Sequence, residues 1–266
     1  MRTSNEEQSR REAFEIAIWA EGKPKLPPEV LAKLDQLASD GRDQETAVGN
    51  ACGGDNSGFP GLGPLASFGS WQSVAATIMR KTADSAGFNQ SSTAFDLFRW
   101  IVFGTQFTTM PFLSGITGDS RSVSISSLSL SPAISAVTQL VGELVTPDTL
   151  AGIVNSLKKI GQLAVENKGL REKNSNVHQG VLTAVNGNLR LGRLQTAVQM
   201  EYRTGKGYQQ LNQQITVSRL FGTLDYAMCI RNAEILLAWD RQDLHDWLKG
   251  ASSSPYPPNH SPAWGN

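Results

Sequence analysis

The side chains best suited to nucleophilic or metal chemistry are two cysteines, Cys52 and Cys229, and three histidines, His178, His245 and His260. They are scattered along the chain, so a thiolate zinc cluster is excluded and a disulfide framework is disfavoured. Ser156-Leu157-Lys158-Lys159 has the Ser-x-x-Lys form in which a lysine one helical turn away takes the proton of a nucleophilic serine. Its companion motifs are missing and Ser156 falls mid-helix, so the tetrad reads as an exposed polar face. Gly61-Leu62-Gly63-Pro64-Leu65-Ala66 has Gly-x-Gly-x-x-Ala spacing, but Pro64 stands where backbone amides should face a pyrophosphate, and a plain loop is the better reading. Cys52 to Gly58 offers oxygen ligands without the spacing or closing glutamate of a calcium loop, which leaves an ordered turn. A Cys229–His245 pair would be separated by roughly 24 Å of straight helix, so only a sharp break at Asp240 would join them.

Cys229 is the one reactive side chain with a distinctive setting. A helical reading puts Leu224, Ala227, Met228, Ile235, Ala238 and Trp239 on one face, with Cys229 beside it towards Ala233 and Leu236. A free cysteine there is either a small buried hydrophobe or an acylated residue whose chain fills an apolar space or enters a bilayer, each buried methylene contributing about 0.8 kcal/mol. Cys52, in a glycine-rich stretch, competes for the same role. Two further segments are compatible with lipid. The Ser-rich stretch Arg121–Leu130 alternates as a membrane-inserting hairpin does, and residues 95–112 concentrate Phe95, Phe98, Trp100, Phe103, Phe107 and Phe112, side chains of the amphipathic and apolar kinds that interfaces accept. Burial in a core remains the default for both segments.

The elements that must position these residues follow from periodicity. Ser4-Asn5-Glu6-Glu7 has the form of a capping box and opens a helix to about residue 20. Pro24, Pro27 and Pro28 end it, and 29–38 reads as a second helix, making a helical hairpin over 5–39. Glycines and prolines between 41 and 69 leave no regular period, so that stretch reads as a long loop. Helices are expected at 70–86 and 92–104, the latter apolar nearly all round. Residues 121–131 read as a strand with a phase slip at Ser126-Ser127, 132–145 is ambiguous, and Pro147-Asp148 opens a helix to about 167. Asn186-Gly187 is the strongest hairpin signal, and 181–221 reads as an antiparallel meander. A helix from about 224 to 239, continuing to 248, precedes a Ser- and Pro-rich tail at 251–266 that reads as disordered. Helices before and after a contiguous meander define one α+β domain over 1–250, with helices on one or both sheet faces.

Composition sets outer limits. A chain of 266 residues with 39% hydrophobic side chains is long enough for a large core. Its 24 basic residues balance 24 acidic ones, so no long-range field gathers polyanions, and nucleic acid is not expected as a partner. The polar, acid-bearing N-terminus lacks the apolar run of a secretory signal peptide, which predicts synthesis and folding in the cytosol. No stretch approaches the roughly 20 apolar residues that span a bilayer.

This layout, a signal-less α+β chain with a meander and one cysteine in a late helix, resembles the Erwinia virulence factor (Evf) family. The resemblance implies a bacterial virulence protein without a secretion signal, S-acylated on a cysteine for which Cys229 is the matching position, and released or membrane-associated. The expectation is therefore a non-enzymatic, membrane-associating virulence or toxin-like protein, with no metal or cofactor beyond a covalent fatty acyl group and with an unidentified host partner. A small hydrolase or transferase using residues 53–63 is the second reading. An interaction scaffold using the tail is the third.

Overall fold

The hairpin turn at Asn186-Gly187 organises the sheet. Both residues have positive φ, 51° and 71°, the pairing a type I′ turn requires. They join β3 (Glu172–Val185) to β4 (Asn188–Gly205), and Val185 lies opposite Asn188. β4 then pairs antiparallel with β5 (Tyr208–Leu224), completing the meander expected over 181–221. The strand expected near 121–131 is β2 (Leu113–Ile125), antiparallel to the outer side of β5. β1 (Gln44–Gly54) adds in parallel to β3, so the five-stranded sheet has the order β1-β3-β4-β5-β2. The computed structural model describes residues 2–21, 28, 44–54, 58–88, 97–125, 131–166, 172–205 and 208–249. The expected helix at 29–38, the phase slip at Ser126-Ser127 and the tail at 251–266 lie outside the described residues.

Helices cover both faces of the sheet. The chain supplies α1 (Arg2–Glu21), a 3₁₀ helix (Gly63–Phe68), α2 (Trp71–Ser85), α3 (Leu97–Thr108), α4 (Ser131–Val141), α5 (Pro147–Glu166), α6 (Tyr226–Arg231) and α7 (Ala233–Lys249). On one face, Leu182, Ala184, Leu189 and Leu191 join Phe68, Trp71, Ile78, Phe103, Phe107, Phe112, Cys229 and Leu236 in one apolar cluster. On the other, Val181, Leu194, Val217 and Phe221 pack with Val137, Leu140, Val141 and Ile153 of α4 and α5. Alternation along β4 sorts the two sets, Leu189 and Leu191 to the first face and Leu194 to the second, as strand geometry demands. This is an α+β fold with its mixed sheet between two helical layers.

Five expectations change in detail. The loop expected over 41–69 contains β1 and the 3₁₀ helix. β1 is glycine-containing and weak in local strand propensity, and its pairing with β3 supplies the backbone partners. Gly53 sits where α5 crosses closely: a Cβ there would approach Thr149 Oγ1 to 2.5 Å. The ambiguous stretch 132–145 contains α4. β3 begins at Glu172 rather than 181, and β2 begins at Leu113, with a register shift between Ser114 and Thr117. The single last helix is two, because Asn232 leaves helical geometry at φ −110°, ψ 31°.

Candidate functional site

α6 is a six-residue helix held at both ends by side chains. Asp225 is its N-cap, its carboxylate accepting from the Met228 N–H at 2.9 Å, while the Cys229 N–H donates to the Asp225 carbonyl at 3.0 Å. At the break, Asn232 Nδ2 donates to the Met228 carbonyl at 3.1 Å and to Glu12 Oε2 at 3.2 Å. Arg231 grips the same carboxylate with two bonds, Nε to Oε2 at 3.1 Å and Nη2 to Oε1 at 3.2 Å, tying α1 to the α6–α7 corner. The Arg231 hydrogen bond is the main reason the Glu12 carboxyl titrates below its ordinary range.

Tyr226 docks α6 on the hairpin. Its hydroxyl accepts from the Leu189 N–H at 2.8 Å and donates to the Gly187 carbonyl at 3.2 Å. Its ring lies 4.6 Å from that of Trp71 and 5.9 Å from that of Phe59. Desolvation raises the phenol to about 12, so it stays protonated and able to donate at any physiological pH.

These contacts place Cys229 wholly inside the apolar cluster, at 0% exposure, with Ala233 and Leu236 buried on the same side. Leu224 is buried as expected, but Ala227 and Ala238 are exposed, so the buried helical face is the one carrying the cysteine. Burial is the main cause, and the Asp225 carboxylate a second, that pushes the thiol well above its ordinary pKa. A neutral, enclosed thiol is a poor nucleophile, since the thiolate is the reactive species.

The other candidates do not converge on it. Cys52 is in β1, in register with Leu182, and His178 is in β3, in register with Val48 and Gln195. His245 is in α7 and Ser156 within α5. The side chains of these four, and His260 altogether, lie outside the described residues. Gly61-Leu62-Gly63-Pro64 leads into a short 3₁₀ helix beyond the end of β1 rather than turning from a strand into an α-helix, so the dinucleotide-binding context is missing. Of the lipid-compatible aromatics, Phe103, Phe107 and Phe112 are fully buried. Arg121, Ser122 and Ser124 of β2 are exposed. Among the described residues no group of three or more His, Cys, Asp or Glu side chains is placed to hold a metal ion. No helix among them is long and apolar enough to cross a membrane.

Sequence periodicity passed over two residues. Tyr226 has no motif around it. Arg193 shares the parity of Leu189 and Leu191 and is 1% exposed, with its guanidinium 4.8 Å from the centre of the Phe103 ring and 5.5 Å from that of Phe88. Desolvation lowers its pKa to about 9, which still leaves a cation at neutral pH, stabilised by the faces of the two rings. The shared parity was the available signal.

The site thus belongs to an α+β protein whose Cys229 is structurally enclosed. No family model and no curated protein matches the chain. Among solved structures it is similar to one titled "Structure of the Evf virulence factor", with 14% identity over 80% of this chain and 88% of that one and a TM-score of 0.36.

Proposed function

We propose that this protein is a non-enzymatic, virulence- or toxin-like factor that associates with membranes through a fatty acyl group carried as a thioester on Cys229. The observation that carries the reading is the complete enclosure of Cys229 in an apolar cluster built by both the sheet and the surrounding helices. The side chains around this sulfur are nonpolar, as a bilayer interior is, so an acyl chain carried here would partition between the two, and the difference sets membrane affinity. The acylation step needs an activated acyl thioester: the cysteine sulfur attacks its carbonyl, a new S–C bond forms, the donor's C–S bond breaks, and the thiol proton leaves with the donor thiol. Because the thiol is enclosed, α6 must open for the donor to reach it. A six-residue helix secured by one cap, one tyrosine and the Glu12–Arg231 clip is the smallest unit whose opening achieves this. The virulence-like part follows the family resemblance of the sequence, with a host protein as the partner to be sought.

The hydrolase reading draws no support from the described residues of 53–63, which are glycine, phenylalanine, proline and leucine and include no ionisable side chain. The intact mass of native-source protein, before and after neutral hydroxylamine, tests the proposal. A fatty-acyl increment that hydroxylamine removes and that both Cys229→Ser and Cys229→Ala lack is the expected result. An unmodified mass returns Cys229 to the role of core hydrophobe, and an increment retained in both variants transfers the modification to Cys52.

A further inference from the structure

Among the described residues β2 forms one margin of the sheet, bonded to β5 on its inner side. A strand at a sheet margin turns alternate N–H and C=O groups outward, and the Ser120 N–H donates to the side chain of its own neighbour, Asp119 Oδ1, at 2.8 Å. Natural margins are blunted by bulges, prolines or charged side chains, most of all lysines. Here the register shift between Ser114 and Thr117 is followed by an uninterrupted register from Thr117 to Ile125, with no proline. Gly118, Ser120, Ser122 and Ser124 are exposed and small, so one face of this margin presents no bulky obstacle.

The charges on the other parity are Asp119 and Arg121, both exposed and two residues apart. Opposite signs at this spacing are self-complementary. If a second β2 runs antiparallel about a two-fold axis at Ser120, Asp119 of each copy lies opposite Arg121 of the other, and Thr117 to Val123 pair within the uninterrupted stretch. Directly opposed unlike charges stabilise a strand pair and like charges oppose it. We propose that two copies of this chain associate through β2 in this register, joining their sheets into one continuous sheet around an isologous two-fold. Within one copy Asp119 already has Arg219 at 3.9 Å and the Ser120 N–H, and Arg121 donates to Gln139 of α4. Pairing frees the Asp119 carboxylate from the Ser120 N–H, which the opposing backbone takes over. The Asp119 side chain, 52% exposed, is open to the incoming guanidinium.

Charge reversal decides the matter. Sedimentation equilibrium of the full chain is expected to return twice the 28.8 kDa chain mass for the wild type. Asp119→Arg and Arg121→Asp each place like charges opposite one another and are expected to return the monomer mass. Mixing these two variants sets a strand carrying only positive charge at positions 119 and 121 against one carrying only negative charge there, and is expected to restore a dimer that contains one of each. Circular dichroism of each variant confirms that its sheet is intact, and Ser120→Pro, which removes the outward N–H without altering charge, gives a second loss of pairing. A monomeric wild type overturns the proposal, as does a wild-type dimer that persists in all three variants or a mixture that stays monomeric.

Discussion

Cys229 and the β2 margin sit at opposite extremes of the same sheet-and-helix frame. The cysteine sits on α6, a helix capped and clipped at both ends, with Asp225, Asn232 and Tyr226 beside it each bonded to backbone. The margin carries serines and unlike charges on an open strand, with hydroxyl contacts such as Ser122 Oγ to Thr216 Oγ1 at 3.0 Å replacing a core. The contrast teaches that the side chains around α6 are occupied within the chain, while those of the β2 margin are exposed. The two proposals divide accordingly, lipid chemistry in the first region and chain pairing in the second.

Substitutions in the two regions should therefore differ by an order of magnitude. Phe112→Ala removes a fully buried ring that meets Trp239 edge-on at 5.8 Å and whose carbonyl accepts from the Asp225 N–H at the α6 cap, and is expected to cost about 3–5 kcal/mol in urea unfolding. A cost near zero would show that the α6 corner does not hold the fold. In unacylated protein, Cys229→Ser puts a hydroxyl where the thiol is enclosed and is expected to cost about 1–3 kcal/mol. A neutral result would mean that water reaches the site. Asp225→Ala removes the N-cap and should cost about 1 kcal/mol, with faster hydrogen exchange confined to α6.

The clip between Glu12 and Arg231 is sensitive to pH in a definite direction. Its carboxyl titrates below the ordinary 4.5 in the folded state, so its contribution is present above that value and is lost as pH falls through the folded pKa. Glu12→Gln should lower stability by about 0.5 kcal/mol at neutral pH, an amount limited by the partly exposed Arg231. The gap to wild type should close in acid, and a gap that widened there would assign the contribution to a different group. At the other extreme, Ser122→Ala should leave stability within about 0.5 kcal/mol of wild type. A larger loss would mean that the margin is already part of the packed structure.

Legibility in the sequence followed the locality of each interaction. The Asn186-Gly187 turn was readable because positive φ at two adjacent positions restricts the residue types there. The burial of Cys229 was readable as one of two alternatives, and its side of the helix was correctly tied to Ala233 and Leu236. The choice of Ala227 and Ala238 for the inner face failed because alanine is equally at home inside and outside. β1 was missed since its partner, β3, lies far downstream and its own glycines signal a loop. Arg193 was missed because a cation lying against two neighbouring aromatic rings depends on α3 arriving over β4.

From residue types and spacing alone came the α+β class, the meander with its tight turn, and the singling out of Cys229. These rest on backbone conformation and periodicity, which act over a few residues. The parallel addition of β1, the helical cover on both faces, the break at Asn232, the Glu12–Arg231 clip and the place of Asp119 and Arg121 on the β2 margin were decided only by the tertiary structure. Each depends on segments distant along the chain, and no short window of sequence contains both partners.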